Sequence, residues 1–170
     1  MNTAFYIAAI VAVISTLMVI IEFNPVHALL YLIVSLLSVA VIFFLLGAPF
    51  AAALEVIVYA GAIMVLFVFV VMMLNLGPQS AAGERSGWPG RLWFGPFVLT
   101  AALLAELVFV LRGGGAVGFR EVGPQEVGLA LFGPYLFGTE LASMLLLSGL
   151  IGAYHLGIGF KAAGKEKDSL

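Results

Sequence analysis

The sequence predicts an all-α integral membrane protein with five transmembrane helices. Of its 170 residues, 64% are hydrophobic and 9% are charged, whereas soluble chains have roughly 45–50% apolar and about 25% charged residues. A soluble domain of this size cannot bury so much apolar surface, and a disordered chain needs low hydrophobicity and high charge. Because a spanning helix takes about 20 apolar residues, five spans account for most of the apolar content.

Five apolar stretches carry these helices, and each is long enough to cross a hydrocarbon layer about 30 Å thick. Strands of a membrane barrel would alternate polar and apolar residues over about 10 positions, but here apolar residues cover every face, which favours helices. We expect a single polytopic domain over residues 1–170, with loops at 76–91 and 112–139. The predicted spans are at about residues 3–21, 27–46, 51–75, 92–111 and 140–161.

The connections differ in length. Asn24 is expected to cap the second helix, with Pro25 in its first turn, and Gly47 begins an equally short turn before the third span. Within the long loop 112–139, the apolar segment 127–137 is expected to lie on the membrane surface or to fold partly back.

The basic residues predict the orientation, because cytoplasmic loops of membrane proteins carry an excess of Lys and Arg. Two of them, Arg112 and Arg120, fall on the side of the amino terminus. Five fall on the side of loop 76–91 and the carboxyl-terminal tail: Arg85, Arg91, Lys161, Lys165 and Lys167. We therefore expect the N-terminus outside and the C-terminus in the cytoplasm.

Several kinds of chemistry are excluded by composition. The chain has no cysteine, so it forms no disulfide and no thiolate-bound zinc or iron–sulfur cluster. Its formal net charge of −2 gives no basic field for nucleic acid. We find no catalytic constellation, phosphate-binding loop or cofactor motif, and therefore expect no cofactor or metal in this chain.

Glu55 is the most informative residue, because it lies one turn inside the third span among apolar neighbours. An ionisable group there costs a few kcal/mol if it is charged, and apolar surroundings favour the protonated carboxyl. A group that takes up and releases protons is what a proton relay needs. The alternative is a glutamate near a helix start that is favoured by the helix dipole and reaches the interface.

Tyr59 and Gly61 follow on the same span. Tyr59 lies four residues after Glu55, on the same helical face, and its phenol can hydrogen-bond the carboxyl or order a water; the alternative is an aromatic of the interface belt. Gly61 lowers helix stability by about 1 kcal/mol relative to Ala. It marks either close helix packing or a place where the helix changes its winding, for instance by a π-bulge.

Two further acids are candidates. Glu140 follows Thr139 at the start of the fifth span, where the favoured interpretation is an ordinary helix start with Thr139 as its cap. Glu106 lies five residues before the end of the fourth span. We expect it to reach the interface or to pair with another chain.

Three strings of the sequence resemble subunit J of the proton-pumping NADH-quinone oxidoreductase, the bacterial relative of mitochondrial subunit 6 of respiratory complex I. They are NPVHALLY at residues 24–31, EVIVYAGAIMVLFVFVVMMLN at residues 55–75 and ELASMLLL at residues 140–147. The resemblance covers roughly residues 1–75 and 129–157, and the string of the third span is the most specific.

The resemblance implies a multi-pass subunit of the bacterial inner membrane, in contact with lipid and beside subunits A, H and K. It implies a π-bulge near Tyr59–Gly61, whose switching opens a water path beside Glu55 and Tyr59. Met64, Val65 and Glu140 are secondary candidates. NADH, FMN, iron–sulfur clusters and ubiquinone would be bound by other subunits.

The sequence therefore predicts a membrane-arm subunit that helps couple quinone reduction to proton translocation through a gating third helix, without redox chemistry of its own. One alternative is a subunit of a multi-chain sodium/proton antiporter. Another is a purely structural or assembly subunit, in which the acids within the membrane are inert.

Overall fold

The computed structural model describes residues 3–74, 89–112 and 121–167, with side chains at 3–74, 94–112 and 121–157. These residues form helices, and no strand occurs among them. Five helical segments are long and apolar enough to cross a membrane: Thr3–Ile21, Pro25–Leu45, Pro49–Met73, Phe94–Arg112 and Leu136–Gly157. The predicted all-α class with five candidate transmembrane helices is confirmed for this part of the chain.

The helices belong to two compact units, Met1–Gly123 and Pro124–Leu170. The first unit contains α1 (Thr3–Ile21), α2 (Pro25–Leu45), α3 (Pro49–Leu54), a π-helix (Glu55–Ile63), α4 (Met64–Met73) and α5 (Pro89–Arg112). The second contains α6 (Pro124–Leu131) and α7 (Leu136–Lys167). Helix α3, the π-helix and α4 follow one another without a break and together form the third span.

The turn between α1 and α2 is as the sequence predicts. The side-chain oxygen of Asn24 accepts a 3.0 Å hydrogen bond from the backbone N–H of Val26, and Pro25 occupies the first turn of α2. A proline costs nothing there because that N–H has no partner within the helix. The three-residue connection makes α1 and α2 antiparallel neighbours.

Hydroxyl groups join α1 to α2 within the membrane span. The hydroxyls of Thr16 and Ser35 lie 2.8 Å apart, and the hydroxyl of Thr16 also donates to the carbonyl of Ala12. Polar side chains in a membrane protein find their partners across helix interfaces in this way. The contact sets the register of the pair, because Thr16 and Ser35 lie at the same level.

Gly47 lets the chain reverse direction between α2 and α3. Its φ of 83° lies in the left-handed region, which glycine adopts without steric cost. The carbonyl of Gly47 accepts a 2.9 Å hydrogen bond from the backbone N–H of Val122. Val122 is thereby held beside the turn between α2 and α3.

Helix α2 is the centre of the first unit, since it packs against α1, the third span and α5. The buried core is formed by Val11 of α1, Val34 of α2 and Leu103 of α5. Nearer the start of α5, the side chain of Tyr31 lies directly over Gly95. Tyr31 thus lies beside Gly95, and Val34, later in α2, lies beside Leu103, later in α5. Helices α2 and α5 therefore run parallel.

The second unit corrects the predicted start of the fifth span. Helix α7 begins at Leu136 rather than at Glu140, and the side chain of Thr139 does not cap it. The hydroxyl of Thr139 instead donates to the carbonyls of Leu131 and Tyr135, so it joins the end of α6 to the first turn of α7. The apolar segment 127–137 forms part of this helix–turn–helix.

Gly95→Ala is expected to destabilise the first unit, because a Cβ at this position would overlap the hydroxyl of Tyr31, which is buried and has little room to move. Overpacking typically costs about 1–3 kcal/mol, partly offset by the gain of about 1 kcal/mol in helix propensity. Thermal unfolding of the detergent-solubilised protein measures the change.

Gly149→Ala is the matched control, because a Cβ there meets no atom within 4 Å. Adding Tyr31→Phe to Gly95→Ala removes the overlapping oxygen and should recover part of the lost stability. Equal melting temperatures for the two alanine variants would contradict the proposed packing.

Candidate functional site

A nine-residue π-helix, Glu55–Ile63, interrupts the α-helical winding of the third span. Its last turn is marked by the backbone N–H of Met64, which donates to the carbonyl of Tyr59, five residues earlier. Most π-helical segments in proteins are single turns within α-helices, and they are frequent at functional sites. This one is longer, and it begins at the residue that the sequence singles out.

Gly61 explains why the chain accepts this winding. A Cβ on Gly61 would lie 3.1 Å from the carbonyl oxygen of Val56, five residues earlier, which is closer than ordinary van der Waals contact. Any residue other than glycine would therefore crowd the carbonyl that the π-winding brings beneath it. Glycine also weakens the competing α-winding by about 1 kcal/mol.

Glu55 and Tyr59 lie on this π-helix, the first half-buried and the second half-exposed. Glu55 is six residues after the start of α3, so its backbone lies about 9 Å along the helix from that end. Neither side chain has a hydrogen bond to another residue of the described chain, and the phenol of Tyr59 does not bond the carboxyl of Glu55. Both polar groups are therefore available to water or to another protein chain.

Met64 and Val65 stand at the junction of the π-helix and α4 in contrasting surroundings. The side chain of Met64 is 1% exposed, whereas that of Val65 is 66% exposed. At the junction of the π-helix and α4, Met64 is thus the residue of the third span that packs into the first unit. No residue of the π-helix itself is buried.

An apolar cavity of about 380 Å³ adjoins the start of the π-helix. Its wall is hydrophobic apart from Thr100, and it is lined by α2, by the third span at Pro49, Ala52, Ala53 and Val56, and by α5. Part of the surface of the first turns of the third span is therefore not packed against α2 or α5.

The remaining predicted site residue, Glu140, belongs to the second unit, where its side chain is exposed on α7. Within the described residues, no three His, Asp or Glu side chains come together in a group that could hold a metal ion.

Glu106 is the functional candidate that sequence reasoning placed wrongly. It does not reach the interface or an outer surface: its side chain is 8% exposed and lies against the backbone of Ala8 in α1. The signal was present in the sequence, since Leu99, Leu103 and Glu106 recur at the spacing of one helix face. A carboxyl that continues a buried apolar stripe is itself expected to be buried.

The comparisons with known proteins agree on one family. The profile of NADH-ubiquinone/plastoquinone oxidoreductase chain 6 matches residues 15–156, which includes the π-helix and most of the described helices. A match of this length extends over both compact units.

Three relatives show the extent of the similarity, and each is named NADH-quinone oxidoreductase subunit J. The protein of Pseudomonas aeruginosa is 59% identical over 92% of this chain and 96% of its own length. That of Escherichia coli strain K12 is 54% identical over 92% of this chain and 86% of its own length. That of Buchnera aphidicola from Schizaphis graminum is 48% identical over 92% of this chain and 98% of its own length.

Gly61→Ala is expected to shift the third span towards continuous α-winding, because the new Cβ crowds the carbonyl of Val56 and alanine stabilises an α-helix by about 1 kcal/mol relative to glycine. A cryo-EM structure of the protein in complex with its partners would reveal the winding directly. Gly149→Ala, which adds a methyl group in open space, should leave the π-helix in place. An intact π-helix in Gly61→Ala would show that glycine is not required for it.

Proposed function

This chain belongs to the family of NADH-ubiquinone/plastoquinone oxidoreductase chain 6, and on that premise we propose that it is a membrane-arm subunit of a proton-pumping NADH-quinone oxidoreductase. In this role it performs no redox chemistry. It helps couple quinone reduction in other subunits to proton translocation. The observation that carries the proposal is the π-helix that holds Glu55 and Tyr59 within a candidate membrane span.

Rewinding of the third span is the proposed gating step. The α- and π-windings pair the same backbone groups, through i→i+4 or i→i+5 hydrogen bonds. Exchange between them therefore leaves few groups unpaired in an environment where unpaired groups are costly. When the π-helix gains or loses one residue, the helix that follows it rotates by about 100°. This is the rotation per residue of a helix with 3.6 residues per turn.

Met64 and Val65 give this rotation two discrete end points. A turn of about 100° exchanges one helical residue for its neighbour, so rewinding would replace buried Met64 by Ile63 or by exposed Val65. Packed interfaces respond to small changes by switching between such alternatives. A redox event elsewhere can bias the switch only by interacting differently with the two windings.

Glu55 and Tyr59 are the proton-carrying groups of the proposal. Both stand on the segment that rewinds, and neither is bonded within the described chain. Rewinding changes which surroundings they face, and with that the hydration on which proton transfer depends. Glu140 is a secondary candidate, because it is exposed on α7 and free to meet a partner.

The proposed partners are other membrane-arm subunits, in particular A, H and K, together with lipid. Large exposed apolar side chains cover the third span and α7, and in α7 no residue from Leu136 to Gly157 is buried. Such surfaces are covered by lipid or by neighbouring helices. The proposed location is the bacterial inner membrane, with the N-terminus outside and the C-terminus in the cytoplasm, while other subunits bind NADH, FMN, iron–sulfur clusters and quinone.

The two alternatives differ from this proposal in their consequences. A sodium/proton antiporter subunit would be isolated with antiporter chains and without iron–sulfur or quinone-binding partners. The matched relatives carry the name of the respiratory enzyme, which favours the first role. A purely structural subunit would keep the same partners, but its acids would be inert.

Glu55→Gln and Tyr59→Phe are each expected to reduce proton pumping by about tenfold or more, while the complex still assembles. Each change keeps the size of the side chain and removes its titratable proton. Pumping by the purified complex in proteoliposomes measures the effect, alongside NADH-dependent quinone reduction and the subunit content of the preparation.

Glu121→Gln and Tyr154→Phe are matched controls, since both side chains are exposed and lie outside the third span. Wild-type pumping by Glu55→Gln and Tyr59→Phe would rule out the relay. Reduced yield of complex with normal turnover per complex would instead support the structural alternative.

A further inference from the structure

The buried polar side chains of the described chain lie in one place, the interface between α1, α2 and α5. They are Ser15, His27, Ser35, Ser38 and Glu106. Elsewhere in the described helices, the fully buried residues are apolar. Polar groups are expensive within a membrane and mark ion or proton pathways when they face the interior of a helix bundle.

Glu106 is the most unusual member of this set. Its side chain is 8% exposed, and it lies against the backbone of Ala8. No hydrogen bond of ordinary geometry reaches either carboxyl oxygen within the described chain. An ionised carboxylate is costly in apolar surroundings, so Glu106 is a group that can carry a proton inside the helix bundle.

Glu106 stands at one end of a line of polar groups. Thr16 and Ser35 lie at the same level of the antiparallel pair α1–α2, so Ala8, two turns earlier on α1, lies about two turns beyond Ser35 on α2. Glu106 is at the level of Ala8. Ser38, which is fully buried, lies between them, about one turn from Glu106.

The line continues in the other direction along one face of α2. Ser35, Tyr31 and His27 follow at intervals of four residues, each buried. From Ser38 to His27 the helix rises about 16 Å. At the far end, the imidazole of His27 lies 4.0 Å from the carboxylate of Glu22, beside the turn that begins α2. The polar face therefore extends over most of the membrane span.

Two buried groups along this interface lack a partner, the hydroxyl of Ser15 and the carboxyl of Glu106. Buried polar atoms without protein partners are the usual sites of internal water. Hydroxyls one helical turn apart are too far from each other for direct hydrogen bonds, but a water between them can bridge each gap.

We propose that Glu106 is an internal proton-exchange site, and that the hydroxyls of Ser38, Ser35 and Thr16, bridged by internal water, connect it to Glu22 and His27 at the opposite end of the helices. The site binds a proton, and internal water molecules bridge the side chains that lead to it. The proposal does not involve Glu55, Tyr59 or the rewinding of the third span.

Few other titratable groups face the site. Helix α1 contains only Tyr6, whose side chain is largely exposed. Helix α2 contains His27 and Tyr31, which belong to the line itself. On the described part of α5, the other ionisable side chain is Arg112, six residues further along and exposed. The exchange of a proton at Glu106 therefore passes along the polar line or across apolar residues.

Infrared difference spectroscopy of the purified complex, recorded after a pH jump in H2O and in D2O, tests the site. A protonated carboxyl gives a carbonyl band that shifts when its proton is replaced by deuterium. We expect Glu106→Gln to remove one such band, and Glu55→Gln to leave it unchanged. If Glu106→Gln fails to assemble, Glu106→Asp keeps the acid and should shift the band.

A spectrum without any band that depends on Glu106, or a Glu106 band that does not shift in D2O, would overturn the proposal. Neither result would bear on the pumping defect expected of Glu55→Gln, so this site and the proposed function fail separately.

Ser38→Ala tests the connection. The hydroxyl of Ser38 donates to the carbonyl of Val34 at 2.8 Å, and removing it deletes one step between Ser35 and Glu106. We expect deuterium exchange at Glu106 to slow by about tenfold, the effect on a rate of losing one hydrogen-bonded step.

Ser143→Ala is the matched control, because its hydroxyl donates to the carbonyl of Thr139 in the same way on the exposed surface of α7. Exchange at the wild-type rate in Ser38→Ala would refute the proposed route.

Discussion

In the apolar layer of a membrane, each backbone N–H and C=O must find its partner within the chain, and the rest of this structure follows from that constraint. It makes every described span helical. It also allows a π-helix within the membrane, because the α- and π-windings pair the same backbone groups. They differ only in which carbonyl accepts the hydrogen bond of each N–H. The π-winding brings the carbonyl of Val56 close to one position, and that position is Gly61, which has no Cβ to crowd it.

The same constraint acts on side chains, with two different outcomes. Glu55 stands six residues after the start of α3, and Glu106 stands six residues before the end of α5. Glu55 is only half-buried and depends on what surrounds the chain. Glu106 is enclosed by the chain itself, so its protonation depends on internal groups. The carboxyl of Glu55 is thus accessible from outside the chain, whereas that of Glu106 is enclosed among α1, α2 and α5.

Helix α2 connects these two regions. One face carries the buried hydroxyls and Tyr31 towards α1 and α5, and other residues contact the third span. The contact of Tyr31 with Gly95 fixes α5 against α2, and the hydroxyl pair of Thr16 and Ser35 fixes α1. The three helices thus pack together beside the third span, which adjoins an apolar cavity.

The sequence by itself determined the class, the number of candidate spans and the Asn24 cap, because hydropathy and capping depend on local composition. It also predicted a role for Glu55, Tyr59 and Gly61 from the cost of a charge in lipid and the freedom of a glycine. The strings at residues 24–31 and 55–75 also sufficed for the family. The start of α7 was misplaced, because Thr139 looks like a cap until the carbonyl of Leu131 is seen within its reach. Only the tertiary structure decided the length of the π-winding, which depends on packing around Gly61, and the burial of Glu106, which depends on α1 lying across a face of α5. An acid at the spacing of a buried stripe can face lipid, a partner or the interior, and only the position of the neighbouring helix distinguishes these.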